Sequence, residues 1–108
     1  MEDTKAIEFF QGVLSKTRAG RIRWQPTAED EIYIAAIGGQ FTLSVWRYER
    51  WKHGIALKDQ EGRVLTTITS DDVGVNENDV RELYQTARRQ ALRVDDKIDK
   101  VLVELNKL

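Results

Sequence analysis

The chain has 108 residues, the size of one ordinary domain, with room for a single hydrophobic core. Its 41% hydrophobic and 32% charged content excludes intrinsic disorder. A net charge of −1 excludes a global field that draws nucleic acid or acidic membranes, and the absence of cysteine excludes disulfides and thiolate metal sites and fits a reducing compartment.

The opening Met-Glu-Asp-Thr-Lys is acidic, so no signal peptide is expected, and no apolar run approaches the roughly 18 residues of a membrane helix. Residues 4 to 18 read as a helix. Ile7, Phe10, Leu14 and Thr17 recur at helical spacing, Phe9 and Val13 widen the stripe, Asp3 or Thr4 is placed to cap the start, and Gly20 suits a left-handed stop. Alternation then takes over. Ile22 and Trp24 predict a short strand ended by Pro26, and residues 31 to 37 and 40 to 48 predict a hairpin around Gly38-Gly39. A two-residue loop pairs Ala36 with Phe41, Ile34 with Leu43 and Ile32 with Val45, which makes Ile32, Ile34, Phe41, Leu43 and Val45 the core face. Strands near residues 53–58 and 63–69 follow, joined by Asp59-Gln60-Glu61-Gly62. A loop of three residues or of four leaves their pairing open.

The last third is helical. Asn76 is placed to cap it, with Val75 and Val80 as a hydrophobic staple. Apolar residues then step by alternating fours and threes from Val80, Tyr84, Ala87 and Ala91 on to Val94, Ile98, Val101, Leu105 and Leu108. This predicts one long helix, with any bend near Arg93–Asp96, where Asp95 is placed to cap a second segment. About 30 residues of helix span roughly 45 Å, whereas a seven-residue strand covers about 23 Å. The distal half therefore folds back on Ile7, Phe10 and Leu14 or meets another chain. The fold class expected is a single α+β domain over residues 1–108: an N-terminal helix, a five-stranded antiparallel meander, and a long C-terminal helix packed on one sheet face.

Candidate chemistry is sparse. His53 is the single histidine and has no carboxylate cluster at coordination spacing beside it, so no metal and no cofactor are expected. No glycine-rich phosphate loop or nucleophile elbow is present. The pairs Asp71-Asp72 and Asp95-Asp96 read as solvated caps. No catalytic residue is expected, and the chain is read as a non-enzyme. The most suggestive segment is Trp46-Arg47-Tyr48-Glu49-Arg50-Trp51-Lys52-His53. Aromatic rings interleaved with cations serve a single-strand stacking surface, with Tyr33, Trp46 and Tyr48 expected on the sheet face opposite the core. The bland alternative is that these rings cover the second face of a thin sheet. A second candidate is Arg81, Arg88 and Arg89 on the last helix, either a face for an acidic partner or merely its wet side.

Lys16-Thr17, Gly20, Trp24 with Thr27, the Asp59 to Gly62 turn, and the Leu83-Tyr84, Ala87-Arg88-Arg89, Ala91-Leu92 and Val94-Asp95 run resemble a loose group of small bacterial domains of unknown function. The resemblance implies a bacterial cytoplasmic accessory or regulatory domain and supplies no activity or catalytic residue. Members often have glycine where this chain has Arg93, a departure that supports a longer helix here.

The leading expectation is a non-enzymatic protein-interaction or regulatory module, homodimeric through a seam of Val94, Ile98, Val101, Leu105 and Leu108, contacting itself or another protein and no membrane. The runner-up is a single-stranded nucleic-acid binder using Trp46, Arg47, Tyr48, Arg50 and Trp51. A third reading is a small-ligand sensor with a pocket near Trp24, Tyr33 and Tyr84.

Overall fold

The computed structural model describes residues 4–72 and 74–108, so the Asp3 cap lies outside the described residues. Helix α1 (Thr4–Arg18) leads into strands β1 (Gln25–Pro26), β2 (Ile32–Ile37), β3 (Phe41–Glu49), β4 (Lys52–Lys58) and β5 (Val64–Thr69), followed by helices α2 (Glu77–Ala91) and α3 (Val94–Leu105). The strands form one antiparallel sheet in sequence order. This is the α+β meander expected, and helices α1 and α2 cover one of its faces.

The stop after α1 is a Schellman motif. Gly20 sits at φ +72°, its N–H donates to the Thr17 carbonyl, and the Arg21 N–H reaches back to the Lys16 carbonyl. Ile22 and Trp24 precede the first strand instead of forming it, because β1 is only Gln25–Pro26. Trp24 is buried, its indole N–H donating to the hydroxyl of Thr17 at 3.1 Å. Thr17 is wholly buried, and its carbonyl also accepts from the side chain of Gln90. One threonine thus joins α1, the approach to β1 and the end of α2.

The hairpin register differs from the expected one by a single residue. Ile37 pairs with Phe41, Ala35 with Leu43 and Tyr33 with Val45, around a three-residue loop of Gly38, Gly39 and Gln40. Because side chains alternate with period two, the extra loop residue turns β2 over. Tyr33 and Ala35 enter the core, Ile32 and Ile34 are only half-buried, and Ala36 is exposed. Leu43 and Val45 keep the inward face assigned to them. Phe41 shares that face, but it lies at the hairpin tip, where the helices do not fully cover it. In this register Tyr33 meets the ring of Tyr84 edge-on at 5.8 Å, a favourable aromatic geometry.

In the next pair Leu43 opposes Leu57, Val45 opposes Ile55 and Arg47 opposes His53, with a bulge between Arg47 and Glu49. The β4–β5 connection is five residues, 59–63. The Asp59 carboxylate organises it by accepting from the backbone N–H groups of Glu61 and Arg63.

Asn76 caps α2 as expected, its side chain accepting from the Asn78 N–H at 2.8 Å. Val80, Leu83, Tyr84, Ala87 and Ala91 are buried, and the small Ala87 and Ala91 permit close approach to the sheet. Arg18 grips Glu82 through two hydrogen bonds of 2.7 and 2.6 Å, tying α1 to α2.

The C-terminal helix is not continuous. Arg93 takes the left-handed conformation (φ 53°, ψ 49°), which ends α2 and starts a separate α3. Position 93 thus keeps a glycine-like backbone although it holds arginine, and the longer helix expected from that arginine does not form. Asp95 does not cap the new helix. It accepts from Arg89, and Asp96 accepts from Arg93. No residue of α3 is buried, and α3 does not fold back on Phe10 and Leu14, which are already covered in the body. The molecule is therefore elongated, 60 × 29 × 25 Å.

Candidate functional site

The aromatic and basic segment does not form one stacking surface. Tyr33 lies in the core with Val45, not on the outer face with Trp46. Trp46 lies on the outer face across Gly54, where an added Cβ would stand 2.6 Å from its Cζ2 atom. Only a glycine lets the indole lie this close to the sheet, so Trp46 is largely a cover for that face. Arg47 forms an ion pair with Glu31, whose own backbone sits at φ 66°. The Tyr48 hydroxyl and the Lys52 ammonium both donate to Asp71, and these hydrogen bonds, led by that of Lys52, hold the Asp71 carboxyl below its ordinary range. Trp51 is left standing 60% exposed at the β3–β4 turn, with the guanidinium groups of Arg50 and Arg81 at 5.5 and 5.7 Å from its ring.

The three arginines of α2 do not make a common cationic face. Arg81 is turned to Trp51 and Asn78, and Arg89 is engaged with Asp95. Arg88 borders the hollow between α2 and α3.

Beneath the Glu31–Arg47 pair lies a polar cluster that sequence reading did not find. His53 is only 2% exposed, and its ring lies 4.8 Å from that of Tyr84. Neither His53 Nδ1 nor the Tyr84 hydroxyl has a hydrogen-bond partner among the described residues. Burial, with the positive charges of Arg47 and Arg81, lowers the His53 pKa. Burial also pushes the Tyr84 phenol up to about 12. The signal was present in the alternation, since His53, Ile55 and Leu57 must share one face. Trp24, Tyr33 and Tyr84, expected to line a ligand pocket, are all packed core residues. Among the described residues no group of His, Asp and Glu is placed to hold a metal ion, and no helix is long and apolar enough to cross a membrane.

Among the described residues, two apolar hollows stand uncovered. The first is at α3. Ile98, Val101, Leu102 and Leu105 are each about half exposed and line one hollow of about 480 Å³ with Leu92 and Val94. This brings together most of the expected seam and adds Leu102. Leu108 lies beyond the end of α3, 98% exposed, and off the seam. The second is a groove of about 630 Å³ between α1 and the hairpin tip, with Phe9, Val13, Ile22, Ile37, Phe41 and Leu57 in its walls. Gly12 also lines it, in the middle of α1, and a Cβ added there would meet no atom within 4 Å. A glycine inside a helix costs about 0.5–1 kcal/mol relative to alanine. Nothing among the described residues requires it, and that unexplained glycine was the available sequence signal for the groove.

Comparison with known proteins returns no match to a family, to a curated protein or to a solved structure.

Proposed function

We propose that this chain is a non-enzymatic protein-interaction or regulatory module that acts as a homodimer through α3. One observation carries the reading: a regular amphipathic helix of 12 residues projects from the body with none of them buried. Ile98, Val101, Leu102 and Leu105 stand at i, i+3, i+4 and i+7, the spacing with which a helix anchors in an apolar partner surface. A contiguous apolar patch of this kind is often functional, and here it is read as an association site. Light scattering across a concentration series tests it. The intact chain is expected at twice its 12.5 kDa mass, and Ile98→Asp with Leu105→Asp is expected to give a folded monomer. A wild-type monomer at millimolar concentration defeats the reading.

A second reading rests on Trp51, whose exposed ring between two guanidinium groups suits stacking against an unpaired base. Quenching of tryptophan fluorescence by single-stranded oligonucleotides at low salt, lost in Trp51→Ala, is its expected signature. No quenching in the intact protein removes it.

A further inference from the structure

Resting on the homodimer reading, we infer that the occupant of the groove between α1 and the β2–β3 hairpin is α3 of a second copy, the two chains exchanging their α3 helices reciprocally. The area favours exchange over a simple pairing of two α3 helices. At roughly 100 Å² for each half-exposed aliphatic side chain, the α3 stripe offers about 400 Å², whereas a stable interface buries about 800 Å² per partner. Two α3 helices packed on each other use only their stripes, and 12 residues make fewer than two heptads, short of the roughly three or more that a coiled-coil seam sustains. In the exchanged dimer each chain buries its stripe and its groove, which about doubles the area.

Placement agrees with this. Arg21 and Ile22 line the groove and also a hollow shared with Gln90, near the C-terminal end of α2, so the groove begins near the root of α3. Two chains that cross their α3 helices about a two-fold axis therefore bring each stripe toward the other's groove. Gly12 fits the same arrangement, because a helix laid in the groove meets α1 where no side chain intervenes. Arg93, held in the left-handed conformation, is the hinge that sets the direction of α3.

The cysteine-free chain permits a direct test. Chains carrying Gly12→Cys and Leu102→Cys are prepared separately, mixed and oxidised. Reciprocal exchange predicts a disulfide between the two different chains. Oxidation that links only Leu102→Cys chains to one another overturns the exchange and leaves a homodimer built on α3 pairing. Gly12→Phe supplies a second arm, since the open position accepts the ring without disturbing the fold, which circular dichroism checks. It is expected to weaken dimerisation at least tenfold in sedimentation equilibrium. An unchanged dimer that Leu102→Asp still dissociates overturns the groove as the site. An intact chain that stays monomeric overturns the exchange together with the homodimer reading on which it rests.

Discussion

Helices α2 and α3 carry the same pattern and have opposite fates. The alternation of fours and threes passes through Arg93 without a missed step, yet α2 buries five residues and α3 buries none. The difference lies in what stands opposite. Facing α2 are β3, β4 and the packed rings of Tyr33 and His53, whereas α3 extends past the end of the sheet. Amphipathic period therefore reports that a helix has a face to cover, and the geometry of the rest of the chain decides whether it is covered from within.

The largest expected effect tests that contrast directly. Leu83→Ala removes a fully buried side chain and should cost about 2–5 kcal/mol in chemical denaturation. Leu102→Ala, measured dilute enough that chains are monomeric, should change stability by less than about 0.5 kcal/mol. Similar losses at the two positions would show α3 to be part of the folded body.

Glycines sharpen the same comparison. Gly54→Ala forces the Trp46 indole off the sheet and should cost about 1–3 kcal/mol, with a shift in tryptophan fluorescence. Gly12→Ala, on the open side of α1, should instead stabilise the dilute chain by about 0.5–1 kcal/mol. A loss at Gly12 in the monomer would mean that the groove is packed from within.

A third effect belongs to the body alone. The folded pKa of His53 is depressed by burial, so below the unfolded value of about 6.5 the unfolded chain takes up a proton that the folded chain refuses. Stability should fall as pH drops from about 6.5, with a slope of at most about 1.4 kcal/mol per pH unit, until the depressed folded pKa is reached. Because this is the only histidine, His53→Phe should abolish the slope between pH 6.5 and 5. A slope unchanged in that variant would show that His53 already carries its proton in the fold.

The smallest effect lies at the joint. Arg93→Gly relieves the left-handed strain, roughly 1–2 kcal/mol for an L-residue, but loses the Arg93–Asp96 bond and gains chain entropy on unfolding. The net change should be stabilising by no more than about 1 kcal/mol, read by thermal denaturation. A destabilisation larger than that would mean that the arginine side chain, and not the backbone, makes the joint.

Local chemistry determined where most of the elements of this protein begin and end. The Gly20 stop, the Asn76 cap, the paired glycines at the hairpin and the runs between them act over a few residues, and each appears where its residue type requires. The sequence also determined that β3 turns Leu43 and Val45 inward and that the C-terminal third carries one continuous apolar stripe. Tertiary structure decided the rest. A hairpin of two loop residues and one of three are both compatible with Gly38-Gly39, and packing against α2 goes with the register that seats Tyr33 on Tyr84 and leaves Ile34 half out. The aromatic and basic segment was legible as composition but not as a surface, because the bulge after Arg47 and ion pairs to the distant Glu31 and Asp71 disperse its side chains. The His53–Tyr84 contact and the α1–hairpin groove join residues far apart in the chain, and no local pattern encodes such a meeting. The break at Arg93 was not legible in residue type either. Arginine has no intrinsic preference for the left-handed region, and the short-range pairs Arg89–Asp95 and Arg93–Asp96 flank the joint.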